Sequence, residues 1–350
     1  MAGSDKRRKT TIVDIAEASG VSVATVSRIL NNKPDVAGDT RERVLRVMDE
    51  IGFAPRNAWQ QIRSGKSHQI AMHFPQDFNP PAHRIITAAA LGVEDAGYSI
   101  TIMTRGLSDA DLLGILRSGR ADAMILLEVL VDDRRAEVLR DAGYPFVMIG
   151  RRADNAGLSY VDVHIEHGID LAMEHLAALG HERIGLVTLD PVLGDQVYGF
   201  TTWAIQAYER ACARLGMRPA RRVTTMALDE AEAVVRALLS DEPDVTALIA
   251  PQEHAVVGVL KAAQALGLRI PADLSVIGTL SESMSELATP PLTTMSFPAD
   301  EMGGEAALIL LDQLAGRRTS PRQVMITPEL VVRGSTGAAR VHEIGASPAR

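Results

Sequence analysis

Thr11-Ile-Val-Asp-Ile-Ala-Glu-Ala-Ser-Gly-Val-Ser-Val-Ala-Thr-Val-Ser-Arg-Ile-Leu-Asn31 reads as a helix, a tight turn and a second helix. Ile12, Ile15, Ala16 and Ser19 recur at helical spacing, and Gly20 supplies the break that a sharp turn needs. Ser22 is a good N-cap for the second helix, which continues through Val23, Ala24 and Thr25. Val26, Ile29 and Leu30 are expected to face the first helix, leaving Val23, Ala24, Ser27 and Arg28 outward. Such a second helix can lie in the major groove of DNA with its N-terminal residues at base edges. Any two short amphipathic helices around a glycine imitate this pattern, so the rest of the chain has to decide.

Outward from that stretch, Thr40 to Ile51 predicts a third helix with Val44, Leu45, Val47, Met48 and Ile51 on its apolar face. Gly52-Phe-Ala-Pro55 ends it, since proline cannot continue a helix. A short, weakly amphipathic segment, Arg56 to Gly65, follows. The chain has 350 residues and a formal net charge of −8, which taken alone argues against a nucleic-acid partner. The distribution reverses that argument. Residues 1–66 hold 12 Lys and Arg against 8 Asp and Glu, and the remaining 284 hold 24 against 36. A basic head on an acidic body suits a protein that touches phosphate with one small domain.

From Gln69 the chain alternates apolar strands with helices, as in a parallel sheet covered on both faces. Strands are expected at 70–74, 98–103, 123–127 and 146–149, with helices near 83–96, 110–117 and 134–141 between them. The pattern starts afresh after Asp162, with helices at 165–179, 199–215, 229–239 and 254–266. Its strands are expected at 184–187, 222–226, 247–249 and 274–277. Two similar α/β halves suggest a two-lobed clamshell around a cleft.

The string Val21 to Asn31, preceded by Asp14-Ile-Ala-Glu-Ala-Ser-Gly20, resembles the signature of the LacI family of bacterial transcription regulators. Leu179-Gly-His-Glu-Arg-Ile184, Gly267 to Gly278 and Pro290-Pro-Leu-Thr-Thr294 are similar to family landmarks in family order, so the resemblance covers residues 10–335. It implies an N-terminal all-α helix-turn-helix DNA-binding domain (1–53) and a hinge segment (54–67). After these comes an α/β, two-lobed, periplasmic-binding-protein-like effector and dimerisation domain with parallel sheets and Rossmann-like lobes (68–335). Its lobe one would be 68–162 and 293–322, its lobe two 163–292 and 323–335, and a polar tail would occupy 336–350. By the same likeness, Asp162-Val163 and the stretch after Pro291 cross between lobes, and ligands sit at the carboxyl ends of the strands.

For DNA, the resemblance implies that Arg28 reads guanine O6 and N7 while Val23 and Ala24 meet thymine methyls. Ser22, Thr25, Ser27, Asn31 and Thr40 would hold phosphates, and Thr11, Ile12 and Asn57 complete the expected contact set. In the family the hinge helix folds over the minor groove and wedges a leucine into a central CpG step. Ile62 stands at that wedge, and Trp59 and Gln60 replace a small residue and an arginine. Candidate effector contacts are Gln76, Phe78, His83, Glu128, Arg151, Gln196, Trp203, Glu253 and Ser281, with helix core as the alternative reading of Trp203. Sugar-responsive members carry an arginine where this chain has Gln196, Asn-Asp where it has Gln252-Glu253, and Asp-Asp where it has Leu280-Ser281. Losing several groups that grip vicinal hydroxyls predicts a small effector less polyhydroxylated than a hexose.

The single cysteine, Cys212, excludes an intramolecular disulfide framework and fits a reducing compartment. No apolar run approaches the roughly 18 residues of a membrane span, and Lys6-Arg-Arg-Lys9 precedes no apolar signal region, so a cytoplasmic protein is expected. Nine histidines show no metal-ligand spacing, and no nucleophile elbow or P-loop appears, so neither enzyme activity nor a cofactor is expected. The expected function is a ligand-responsive, sequence-specific transcription regulator, most simply a repressor, acting as a homodimer on operator DNA. A solute-binding protein on the same clamshell and a nonspecific nucleoid-type binder are the alternatives. The basic head opposes the first, and one compact reading helix with a large acidic body opposes the second.

Overall fold

The N-terminal unit is built on its own small core. In this computed structural model, which describes residues 11–30, 33, 36–51, 66–74, 80–104, 106–317 and 320–340, helix α1 runs Ile12–Ser19. Thr11 and Asp14 form a reciprocal cap, with the Asp14 carboxylate accepting from the Thr11 backbone N–H at 2.6 Å. Gly20, at φ 66°, turns the chain into α2 (Val23–Leu30), where the Ser22 hydroxyl accepts from the Thr25 N–H at 3.0 Å. Helix α3 spans Gly38–Glu50. Ile15, Ala16, Val26, Ile29, Val44 and Met48 bury together between the three helices.

The body begins with β1 (Gln69–His73), α4 (Pro80–Glu94), β2 (Ser99–Met103) and α5 (Asp109–Arg117). It continues with β3 (Ala123–Leu126), α6 (Arg134–Asp141), β4 (Phe146–Ile149) and β5 (Tyr160–Val163). The second half holds α7 (Ile165–Ala178), β6 (Ile184–Leu189), a hairpin of β7 (Val192–Leu193) and β8 (Gln196–Val197), and α8 (Gly199–Leu215). Then come β9 (Ala220–Thr224), α9 (Leu228–Asp241), β10 (Ala247–Ala250), α10 (Glu253–Ala265), β11 (Ser275–Gly278) and α11 (Glu282–Leu287). The chain closes with β12 (Thr293–Met295), α12 (Ala299–Leu314), β13 (Gln323–Ile326) and β14 (Leu330–Val331).

The first sheet runs β13-β5-β4-β3-β1-β2 and is parallel throughout. The second runs β14-β12-β11-β10-β6-β9, parallel except for β14 at its edge. Strands β3, β4 and β10 are buried at every position, as continuous apolar runs under helices on both faces require. In each sheet the strand order reverses beside the first strand, which opens a crevice at the carboxyl ends.

Two parts of the expected lobe assignment are corrected. Strand β12 does not return to lobe one but pairs with β11, Ile277 facing Thr293. Strand β13 does not finish lobe two but pairs with β5, Gln323 facing Tyr160. Only α12 of the 293–322 segment returns to the first lobe, where it packs on α4. The free edge of β5 needs a backbone partner, and a strand of four residues carries no periodicity that would announce which edge it joins. The crossover segments pair with each other, Ser296 donating its N–H to the Glu329 carbonyl at 2.8 Å.

Strand β9 also starts two residues earlier than expected. The Tyr208 hydroxyl pins it by accepting from the Ala220 N–H at 2.8 Å while donating to the Ile184 carbonyl at 2.7 Å. The expected polar tail is tethered over its first residues. Ala339 donates to the Leu179 carbonyl at 2.9 Å, and the Gly337 carbonyl lies 3.1 Å from His181 Nε2. Among the described residues no helix is long and apolar enough to cross a membrane.

Candidate functional site

On the N-terminal unit, burial of Val26 and Ile29 fixes which face of α2 is presented. Ser22, Val23, Ala24 and Arg28 are exposed, and Thr25 and Ser27 are half-buried beside them. Val23 is 43% exposed at the first turn, an apolar side chain standing in solvent where a groove floor could cover it. Ser22 and Thr25 bond to each other through their hydroxyls at 2.8 Å. Thr40, half-buried, sits in the first turn of α3. Thr11 is already engaged, its hydroxyl and its N–H both donating to Asp14 at 2.7 and 2.6 Å. Ile12 is half-buried against the head core. Asn31, Asn57 and Ile62, with Trp59 and Gln60, lie outside the described residues.

Between the lobes lies a cavity of about 260 Å³ at the carboxyl ends of both sheets. The first lobe contributes Glu128 after β3, Gly150 and Arg151 after β4, and Asp162 at the end of β5. The second contributes Asp190 after β6, Thr224 to Met226 after β9, Gln252 to His254 after β10, and Thr279 after β11. Phe200 on α8 and Phe297 on the crossover meet edge to face at 6.2 Å on its wall. The lobes are clasped beside the cavity. Leu130 and Tyr198 form an antiparallel bridge, and Val131 donates its N–H to the Val197 carbonyl at 2.7 Å. Gly199 must be glycine for this approach, because a Cβ there would stand 2.9 Å from the Arg151 carbonyl oxygen.

Arg151 is heavily engaged. It binds Asp162 at 3.0 Å, pairs with Glu166 at the start of α7, and lies 5.2 Å over the Trp203 ring. Burial pushes the Asp162 carboxyl up to about 7, with Arg151 pulling the other way. Glu128 is likewise raised by burial, against the field of Arg135. The Arg135 donors are taken by Asp133 at 2.5 Å, His73 Nδ1 at 3.0 Å, and the carbonyls of Leu127 and Glu128 at 3.1 and 3.0 Å. Gln252 is occupied too, accepting from the Thr188 hydroxyl at 2.9 Å and donating to the Thr201 hydroxyl at 3.3 Å.

Of the expected effector contacts, Glu128, Arg151 and Glu253 stand on the cavity wall. Four do not. His83 is exposed on α4, and Gln196 is exposed in the hairpin, accepting from the Tyr198 hydroxyl at 3.2 Å. Trp203 lies under Arg151 rather than on the wall. Ser281 caps α11, accepting from the Met284 N–H at 3.4 Å. Gln76 and Phe78 fall outside the described residues. Sequence reasoning passed over Asp162, Asp190, Tyr198, Phe200 and Phe297. Asp190 was reachable, since it directly follows a parallel strand, whereas Phe297 arrives through a crossover that no local pattern marks. Among the described residues no three His, Cys, Asp or Glu side chains come together to hold a metal ion.

Comparison with known proteins matches residues 11–56 to the model of bacterial regulatory proteins, lacI family, and residues 173–336 to a periplasmic binding protein-like domain. The HTH-type transcriptional regulator MalR of Streptomyces coelicolor is 30% identical over 345 residues, covering 94% of this chain and 97% of that one. The HTH-type transcriptional repressor CytR of Escherichia coli is 29% identical over 345 residues, covering 97% and 99%. The solved complex of the transcriptional regulator CelR with cellobiose superposes with a TM-score of 0.70 at 28% identity, covering 93% of this chain and 99% of that one.

Proposed function

The chain belongs to the LacI family of bacterial regulatory proteins and is a ligand-responsive DNA-binding regulator of transcription, from which we propose that two copies read a pseudo-palindromic operator under control of a small molecule in the interlobe cleft. The observation that carries this reading is the outward face of α2, where Ser22, Val23, Ala24 and Arg28 project from a head with its own core. Arg28 reads guanine, Val23 and Ala24 meet thymine methyls, and Ser22, Thr25, Ser27, Asn31 and Thr40 hold phosphates. Ile12 and Asn57 flank these contacts, and Ile62 enters the minor groove at the dimer centre. Thr11 acts by capping α1. Reading chromosomal DNA places the protein in the cytoplasm.

Control follows from linkage. A molecule bound between the lobes with different affinity for their open and closed arrangements shifts the hinge spacing, and with it operator affinity. The cavity and the interlobe clasp at Leu130 and Tyr198 support that coupling. The dimer is supported by apolar side chains left in solvent on α11, where Met284 is 53% and Leu287 76% exposed.

Selection of bound duplexes from a random DNA library tests the reading. The expected outcome is enrichment of a pseudo-palindrome with a central CpG step. Arg28→Ala should relax preference at one position of each half-site, a loss of about 1–3 kcal/mol of discrimination. Uniform recovery of sequences, with and without cell extract as a source of corepressor, would reject sequence-specific reading.

A further inference from the structure

We infer that the cleft selects an effector bearing a positively charged amine, held between Glu128 of the first lobe and Asp190 and Glu253 of the second. This deepens the proposed function and rests on it for the role of the bound molecule.

The charge on the cavity wall carries the argument. Four carboxylates line it, Glu128, Asp162, Asp190 and Glu253, against one guanidinium, Arg151, and one imidazole, His254. Arg151 is paired with Glu166, hydrogen-bonded to Asp162 and capped by Trp203, so its donors are engaged within the protein. Among the described residues Glu128, Asp190 and Glu253 have no ion-pair partner; Asp190 accepts only from the Val192 N–H, at 2.8 Å. Arg135, whose field acts on Glu128, has its donors committed to Asp133, His73 and the carbonyls of Leu127 and Glu128.

Donor supply points the same way. A polyol needs donors and acceptors together, because each hydroxyl offers both. Here Arg151 and the Gln252 amide are engaged by the protein, and the other donor-capable groups on the wall, His254 and Thr279 among them, face three carboxylates without an ion-pair partner among the described residues. An ammonium is donor-only, and so fits a wall of carboxylates. The aromatic faces of Phe200, Phe297 and Tyr198 suit a cation as well. Burial raises the Glu128 carboxyl, so its charged form is held at a disadvantage that a bound cation would relieve.

The placement also couples binding to closure. Carboxylates on both walls repel across an empty cleft, and a cation between them attracts both lobes at once.

The test uses the full chain and calorimetry with three matched sets: glucosamine, glucose and glucuronate; phenethylamine, phenethyl alcohol and phenylacetate; putrescine, butanediol and succinate. Cellobiose is added as a neutral disaccharide. In at least one set the amine should bind roughly tenfold more tightly than both counterparts. Glu128→Gln should erase most of that preference, and Glu253→Gln, on the opposite lobe, should reduce it independently. Equal or tighter binding of neutral or acidic members, no binding by any amine, or a preference intact in both variants overturns the inference. Operator affinity separates the two layers. Cellobiose that binds and shifts operator affinity refutes the amine while keeping the effector reading. An amine that binds through Glu128 without moving operator affinity refutes the effector reading alone.

Discussion

Asp162 is the penultimate residue of β5, where the chain leaves the first lobe, and burial there sets its proton affinity. Desolvation raises it from 3.8 to about 7, with Arg151 opposing. The folded protein therefore holds this proton over a range in which the unfolded chain has released it. The stability so gained is fully present below 3.8 and is lost as pH rises through about 7. His175 and His181 are lowered by burial and act in the opposite sense, their contribution being lost as pH falls below 6.5. Asp162→Asn isolates the carboxyl. Urea unfolding of the variant should lose less stability than wild type between about pH 5 and about pH 8, and an identical loss would mean the carboxylate is ionised throughout. None of this was legible in the sequence, where Asp162 marked only a crossover. Glu128 and Arg151 were legible as cleft candidates because they follow strand ends.

At the scale of elements, the crossing of α4 and α12 shows what periodicity reaches and where it stops. Helix α4 was expected near 83–96, whereas α12 was not, and nothing local announced that their backbones would touch. A Cβ on Gly303 would lie 2.3 Å from the Ile85 carbonyl oxygen and 2.9 Å from the Ala89 nitrogen, both backbone atoms that cannot rotate away. Gly92 meets Ala307 in the same seam. Gly303→Ala should therefore destabilise by about 1–3 kcal/mol through overpacking. A lower urea midpoint at unchanged slope is the expected result; an unchanged midpoint would show that the helices can part without loss. The β7–β8 hairpin escaped notice for a different reason. Two-residue strands have no period, and their pairing is fixed by the turn at Gly194, φ 64°, and by docking on Leu130.

The whole molecule joins a basic reading head to an acidic two-lobed body, and the proposed pairing of two copies draws on an exposed surface. Leu287 and Met284 on α11 leave apolar area in solvent that a second copy would cover. Leu287→Asp places a charge in that contact. Sedimentation at micromolar concentration should show the variant shifted to monomer, with operator affinity reduced because a single head engages one half-site. A dimer of wild-type strength would move the interface elsewhere on the lobes.

The sequence by itself determined the reading head, the α/β alternation and the two-lobed plan. Each of these is written in local terms: a cap, a glycine, a helical or continuous apolar run. Tertiary structure decided the rest. It sent β12 to the second sheet and β13 to the first, pinned β9 through Tyr208, and removed His83, Gln196, Trp203 and Ser281 from the cavity wall. The physical reason is that sheet edges and cleft walls are satisfied by groups distant in the chain. Hydrogen-bond and charge partners are then chosen by proximity after folding, and no period in the sequence encodes them.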